Sequence, residues 1–164
     1  MKRNNIYKER KTMKKEKAMK INSMSVTLPS ISANEAAARA LVSVFAAQLD
    51  PTISELADLK CAVSEAVTNC IVHAYREQIR PIYITASLYS DRSIKIEIRD
   101  RGCGIEDVAL ALTPLYTTDH SGERSGMGFS VMESFCTKLK VQSKPGRGTK
   151  VTLVKKLEAR TGSL

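Results

Sequence analysis

The stretch Ile94-Lys-Ile-Glu-Ile-Arg-Asp-Arg-Gly-Cys-Gly104 joins two patterns. Apolar residues occupy every second position from Ile94 to Ile98, which predicts a half-buried β-strand. Asp100 ends this alternation and is followed by Gly102 and Gly104, so a carboxylate lies at the mouth of a strand, beside backbone that can turn tightly. An acceptor there could take a hydrogen bond from an exocyclic amine such as that of adenine. A plain Asp-Gly turn is the alternative.

Glycine pairs recur downstream of this strand. Six of the eight glycines form three G-x-G pairs, Gly102/Gly104, Gly126/Gly128 and Gly146/Gly148. Because glycine lets backbone approach a ligand closely, the repetition favours loops wrapped around a nucleotide. The second pair leads into a predicted helix whose free N–H groups suit phosphate, and Arg124 adds a bidentate positive charge. An ordinary glycine-rich helix start is the alternative. A tight hairpin turn explains the third pair nearly as well. Neither a Walker loop nor a Rossmann fingerprint is present.

A polar ladder of Glu65, Asn69 and His73 lies upstream. At roughly 100° per residue these side chains fall within about 80° of one another on one helix stripe. A glutamate beside an asparagine can place a proton acceptor next to a metal-binding carbonyl. The alternative is an ordinary solvated helix face. We interpret His73 as structural rather than catalytic.

The remaining patterns predict the order of the elements. Capping boxes at Ser32/Glu35 and Thr52/Glu55 predict helices that reach about residues 49 and 75. Further helices are predicted at about 108–112 and 128–137, and strands at 24–28, 82–88, 94–98, 139–142 and 150–154. The order β, α, α, β, β, α, α, β, β predicts an α+β fold, a two-layer α/β sandwich with helices on one face of a mixed sheet.

Charge and length favour one folded domain between two tails. The net charge is +9, but residues 1–20 hold nine Lys or Arg and two Glu, so the rest of the chain is nearly neutral. We expect a disordered basic extension at residues 1–18, one domain at 19–158 and a tail at 159–164. A nucleic-acid-binding role would rest on the extension alone, and we expect no direct nucleic acid partner.

Targeting and cysteine patterns indicate a cytoplasmic protein with no membrane partner. No run approaches the roughly 18 apolar residues of a membrane span. The basic start is not followed by the apolar stretch of a signal peptide. The four cysteines include no C-x-x-C, which favours reduced thiols over a zinc site or a disulfide framework.

In order and spacing, these motifs resemble the boxes of the Bergerat-fold ATPases, shared by histidine kinases, gyrase and Hsp90. Within that superfamily the sequence is most similar to the anti-sigma factor serine kinases, in particular those of sporulation. Three segments carry this similarity: Ser64-Glu-Ala-Val-Thr-Asn69, Pro114-Leu-Tyr-Thr-Thr118 and Glu123-Arg-Ser-Gly-Met-Gly-Phe129. The resemblance covers about residues 19–156.

The start of the resemblance leaves two interpretations of the extension. Met19-Lys-Ile-Asn begins where family members begin. Residues 1–18 are therefore either a translated extension or the product of a start misassigned to Met1 or Met13. The domain at 19–158 would be the histidine-kinase-like ATPase domain.

The resemblance implies ATP or ADP and Mg²⁺ as cofactors. Glu65 would be the general base toward a serine hydroxyl, Asn69 would hold Mg²⁺, and Asp100 would recognise adenine. A lid from Thr117 to Gly126 would cover ATP. The other implied nucleotide-binding residues are Gly102, Gly104, Thr117, Thr118, Arg124, Ser125, Gly126, Met127, Gly128 and Thr149. The implied partner-binding residues are Arg39, Glu123 and Arg124, the last also near the γ-phosphate. Asp119 would add a negative charge to the lid.

The implied activity is that of an anti-sigma factor and ATP-dependent serine/threonine protein kinase. A homodimer would hold a sporulation sigma factor away from RNA polymerase and phosphorylate an anti-anti-sigma protein on serine. Phosphoryl transfer mostly needs positioning and charge neutralisation, which these residues can supply. A nucleotide-gated sequestering protein without catalysis is one alternative. A histidine kinase catalytic module is the other, although neither His73 nor His120 suits a phosphoacceptor.

Overall fold

The computed structural model describes residues 18–76, 78–113 and 127–159. The strands within these ranges form one sheet: β1 (Lys20–Pro29), β2 (Pro81–Tyr89), β3 (Ser93–Arg99), β4 (Lys138–Lys144) and β5 (Gly148–Lys156). Their order across the sheet is β1-β2-β3-β5-β4, and every neighbouring pair is antiparallel.

The helices pack on one face of this sheet. They are α1 (Ala33–Ala46), α2 (Ile53–Asn69), α3 (Val108–Ala111) and α4 (Gly128–Phe135). A 3-10 turn, Ala47–Leu49, continues α1, and one π-helical turn, Cys70–Ala74, continues α2. The predicted α+β, two-layer architecture is confirmed, and among the described residues no helix is long and apolar enough to cross a membrane.

Alternation along the central strand explains why the sheet has one dry face. Ile94, Ile96 and Ile98 are at most 1% exposed and pack under the helices. Because successive side chains of a strand point to opposite faces, Lys95, Glu97 and Arg99 lie on the other side. We call this side, which no helix of the described ranges covers, the open face.

The prediction of a mixed sheet is wrong for the strands that the structure describes. After β3 the chain crosses the helix layer and returns as β4 at the edge of the sheet. The tight β4–β5 hairpin then inserts β5 antiparallel between β3 and β4. Strands β3 and β4 do run in the same direction, but they are not neighbours, so no parallel ladder forms.

The two capping-box predictions have opposite outcomes. At Thr52 the box is present: the hydroxyl accepts from the Glu55 N–H at 3.1 Å, and the Glu55 carboxylate accepts from the Thr52 N–H at 2.8 Å. At Ser32 it is absent, because that residue is already helical, with φ −56° and ψ −36°, and its side chain makes no cap bond. The Glu35 carboxylate instead accepts from the Ser64 hydroxyl of α2.

Several predictions fall on residues that the structure does not describe. These are residues 1–17 of the basic extension, the whole lid at 117–126 and residues 160–164 of the tail. The proposed domain boundaries therefore stay predictions.

The contrast between the two helix starts gives a stability test. We expect Thr52→Ala to lower the free energy of unfolding by about 1 kcal/mol, because it leaves the Glu55 N–H without its cap acceptor. Ser32→Ala serves as the matched control and should change it by less than about 0.5 kcal/mol, since its hydroxyl caps nothing. Urea denaturation of both variants measures the difference, and equal losses would contradict the assignment.

Candidate nucleotide site

A buried carboxylate stands at the end of β3. Asp100 is 3% exposed, and its Oδ1 accepts from the backbone N–H groups of Gly102 at 2.8 Å and Thr149 at 3.2 Å. The Asp100 N–H in turn donates to the Thr149 carbonyl at 3.0 Å. Oδ1 is therefore fixed by backbone of two separate chain segments, and the orientation of the whole carboxylate is set with it.

The second carboxylate oxygen faces a thiol. The Cys70 Sγ lies 3.8 Å from Asp100 Oδ2, and burial raises the pKa of Cys70, so the thiol keeps its proton and donates weakly. Burial also raises the pKa of Asp100, an effect that the N–H groups of Gly102 and Thr149 partly oppose because they stabilise the charged form. Oδ2 retains lone-pair capacity for a further donor, such as an amino group of a ligand.

Glycines permit the close backbone approach that surrounds Asp100. A Cβ on Gly102 would collide with the backbone of Ala74, and one on Gly148, at φ +89°, would collide with the Asp100 carbonyl. A Cβ on Gly104 would collide with the Lys144 carbonyl. The loops that contain the first and third glycine pairs are hydrogen-bonded to each other, since the Gly146 N–H donates to the Cys103 carbonyl at 2.7 Å.

The π-helical turn after α2 fastens this glycine loop to the helix layer. The sequence predicted one continuous helix to Tyr75, but the α-helical geometry ends at Asn69. The last carbonyls of a helix lack partners within it. Here the Ala74 carbonyl accepts from the Cys103 N–H at 2.9 Å, so the loop satisfies the end of the helix. Single π turns of this kind are frequent at functional sites.

The polar ladder on α2 points at the start of α4. A Cβ added to Gly128 would lie 3.0 Å from Glu65 Oε2 and 3.7 Å from either polar atom of the Asn69 amide. Met127, the N-cap of α4, makes no side-chain cap bond to this end of the helix. Its first N–H groups and positive dipole end therefore suit a phosphate, next to one carboxylate and one amide carbonyl.

The oxygen donors at this end fit Mg²⁺ only in combination with a ligand. Among the described residues, no group of three or more His, Cys, Asp or Glu side chains could hold a metal ion. Mg²⁺ is commonly bound by one or two protein oxygens together with phosphate oxygens and water. The Asn69 carbonyl, with the Glu65 carboxylate beside it, has the hard oxygen chemistry that such a shared site needs.

A hydrogen-bonded link joins α1 to the stretch of α2 that carries Glu65. Ser64, the residue before Glu65, donates to the Glu35 carboxylate, and Arg39 lies 3.6 Å from the same carboxylate. Arg39, predicted as a partner-binding residue, has a side chain that is 46% exposed. It therefore lies on the outer surface of α1 and is linked through Glu35 to Ser64, the residue before Glu65.

Apart from Arg39 on α1, the predicted site residues fall into three groups. One group surrounds Asp100 and comprises Gly102, Gly104 and Thr149, and another surrounds the start of α4 and comprises Glu65, Asn69, Met127 and Gly128. The remaining nucleotide-binding and partner-binding predictions on the lid lie outside the described residues: Thr117, Thr118, Glu123, Arg124, Ser125 and Gly126.

Sequence reasoning missed three residues that build the site. Cys70 falls among the apolar positions of the predicted helix, so its spacing gives no sign of a contact with Asp100. The Tyr75 hydroxyl accepts from the Arg101 N–H at 2.7 Å and donates to the Pro81 carbonyl at 2.6 Å. The Ser143 hydroxyl lies 2.8 Å from the Thr149 hydroxyl and accepts from the Ile105 N–H at 2.8 Å. Only Ser143 had a signal in the sequence, since the predicted β4–β5 hairpin places it opposite Thr149.

Residues 28–155 match the family model of the histidine kinase-like ATPase domain. An anti-sigma F factor from Caldanaerobacter subterraneus subsp. tengcongensis is 54% identical over 134 residues, which cover 82% of this chain and 93% of that relative. An anti-sigma F factor from Pasteuria penetrans is 49% identical over 142 residues, which cover 86% of this chain and 95% of that relative.

A solved structure shares the fold at low sequence identity. It contains the RsbU and RsbW domains of a Mycobacterium tuberculosis protein and superposes with a TM-score of 0.62 at 21% identity. The match covers 87% of this chain and 35% of that one, so the chain spans about a third of the solved structure. With the close relatives, this fold confirms the resemblance seen in the sequence: the chain belongs to the histidine kinase-like ATPases and, within them, to the anti-sigma F factor family.

Proposed function

We propose that this protein binds a sporulation sigma factor, sigma F, blocks its use by RNA polymerase, and phosphorylates an anti-anti-sigma protein on serine with ATP. One observation carries the proposal: α2 presents Glu65 and Asn69 to the start of α4, and Cys70, the first residue of the π turn that continues it, contacts Asp100. One rigid helical element can thereby position the groups that bind both ends of a nucleotide, the adenine and the phosphates. The names of the close relatives supply the sigma factor.

The chemistry follows from the positions of these groups. The adenine amino group donates to Asp100 Oδ2, and the phosphates lie at the N-terminus of α4. The Glu65 carboxylate takes the proton of the serine hydroxyl, whose oxygen bonds to the γ-phosphorus as the bond to the ADP oxygen breaks. When Mg²⁺ is bound it neutralises charge on the phosphates, with Asn69 as its protein ligand. The remaining donors, Thr117, Thr118, Arg124, Ser125 and Gly126, would come from the lid.

The partner surface that we propose includes the outer side of α1. Arg39 is half-exposed there, and its partner Glu35 bonds to Ser64 beside the catalytic glutamate. A protein docked on Arg39 would thus lie close to Glu65, the proposed general base. Glu123 and Arg124 of the lid would complete this surface, and we further propose that the protein acts as a cytoplasmic homodimer.

A sequestering protein without kinase activity is the main competing function. Sequestration needs the same nucleotide site but no base, so the two functions differ only in what Glu65 does. A histidine kinase catalytic module is less well supported, because the close relatives are anti-sigma factors and the match covers more than nine-tenths of their length.

Replacing Glu65, the proposed general base, distinguishes a kinase from a sequestering protein without kinase activity. We expect Glu65→Gln to lower phosphate transfer from labelled ATP to an anti-anti-sigma protein of the same genome by about 10²- to 10⁴-fold, because the amide cannot accept the serine proton. Nucleotide affinity should change by less than about three-fold, since the substitution is isosteric. Glu133→Gln is the matched control, because Glu133 is an exposed glutamate of α4 and its loss should leave transfer intact. Undiminished transfer in Glu65→Gln would refute the role of Glu65, and no transfer by the wild type would favour the sequestering protein for that partner.

The geometry of Asp100 predicts a change of base preference. In Asp100→Asn the N–H groups of Gly102 and Thr149 hold the amide oxygen in place of Oδ1, so the amide NH₂ replaces Oδ2 and faces the adenine amino group, donor against donor. We expect ATP affinity to fall about ten- to hundred-fold.

Inosine triphosphate provides the internal control, because it carries a carbonyl acceptor where adenine carries the amino group. The variant should bind it better than ATP, whereas the wild type should prefer ATP. Calorimetric titration of both nucleotides, with circular dichroism to establish folding, measures the preference. A folded variant that still prefers ATP would remove Asp100 from base recognition.

A further inference from the structure

The open face carries a concentration of positive charge where β3, β5 and β4 lie side by side. Arg99 is directly opposite Lys150, and Lys150 is directly opposite Gln142. Their strand neighbours Ile98 and Val151 are buried under the helices, so these three side chains point away from the nucleotide site.

A cavity opens at this position. It has a volume of about 340 Å³, and its lining includes Arg99, Lys144, Arg147 and Lys150, which we call the strand-end cluster. Gln142 adds a neutral donor to the same wall. Volumes from about 300 Å³ upward are typical of small ligand sites and can hold one or two acidic side chains.

The strand-end cluster lacks matching negative charge. Within the strands, Glu97 is the only acidic residue on the open face, and it is shared between Lys95 at 3.1 Å and Lys150 at 3.4 Å. Arg99, Lys144 and Arg147 have no ion-pair partner among the residues described. Asp100 also lines the cavity, but its carboxylate is already engaged by Gly102, Thr149 and Cys70.

This arrangement costs stability unless an anion joins it. Cross-strand residues have Cβ atoms about 4.5–5.5 Å apart, and like charges at that distance repel. Lysines on the edge strand β4 can be explained by protection against edge-to-edge pairing. That explanation does not extend to Arg99 and Lys150, which belong to interior strands.

We propose that the strand-end cluster binds an acidic segment of a partner protein, with aspartate or glutamate side chains entering the cavity. Two arginines can each hold a carboxylate bidentately. A nucleic acid fits less well, because the charged area is small and Tyr83, the open-face ring directly opposite Arg99, is covered by Arg101 at 5.1 Å. The cavity is also lined by Ser143, Gly148 and Thr149, so the strand-end cluster adjoins the Asp100 end of the nucleotide site although its strand side chains lie on the open face.

The test compares two variants that remove the same charge from the same strand system. Lys144→Gln/Arg147→Gln removes half of the strand-end cluster, and Lys138→Gln/Lys140→Gln removes two exposed open-face lysines at the far end of β4. The probe is fluorescein-labelled hexaglutamate, measured by fluorescence anisotropy at low ionic strength. The full chain is used with saturating ADP, so that the phosphate end of the nucleotide site is blocked.

We expect the cluster variant to bind hexaglutamate about ten-fold more weakly than the wild type, since each exposed ion pair contributes a few-fold. The far-end variant should stay within about two-fold. Absence of binding to the wild type, equal weakening in both variants, or no weakening in either would overturn the proposal. Tripolyphosphate and a short single-stranded oligonucleotide are competing probes, and a larger loss for either one than for hexaglutamate would also overturn it.

Discussion

The buried carboxylate of Asp100 is the constraint on which the nucleotide site depends. Burying a carboxylate is costly unless its oxygens are hydrogen-bonded, and here the backbone N–H groups of Gly102 and Thr149 provide those bonds. Their convergence requires the glycine loop to pass against Ala74 and the β4–β5 hairpin to pass against Asp100, which the absence of side chains at Gly102 and Gly148 allows. The glycine pairs are thus part of how one acidic side chain is buried and aimed.

Helix α2 links that carboxylate to the start of α4, where we place the phosphates. Its ladder residues Glu65 and Asn69 converge on Gly128, and Cys70 contacts Asp100 from the next position. The π turn that follows brings Ala74 to the glycine loop. The helix is therefore fixed at its C-terminal end, near Asp100, as well as along its packed face. A nucleotide that spans both ends would therefore meet groups whose separation is set by a rigid element, which is the positioning that phosphoryl transfer requires.

Local patterns predicted the elements well, whereas contacts between distant segments were beyond them. Strand alternation and the Thr52 box depend on residues close in sequence, and both are found. The Ser32 box failed because Glu35 has a competing partner, Ser64, on another helix. Cys70 was grouped with apolar residues because hydrophobic periodicity registers burial and carries no information about a carboxylate that approaches from the sheet. The motifs pointed to residues that the structure brings together at Asp100 and at the start of α4, since carboxylates, amides and glycines are recognisable without their partners.

We propose that Asp100 Oδ2 binds the adenine amino group while the N-terminus of α4 binds the phosphates. The decisive experiment is a crystal structure of the full chain with Mg²⁺ and ADP. We expect the adenine amino nitrogen within about 2.7–3.2 Å of Asp100 Oδ2 and the phosphate oxygens at the first N–H groups of α4. A nucleotide whose base lies away from Asp100, or whose phosphates do not reach the Gly128 end of α4, would contradict it.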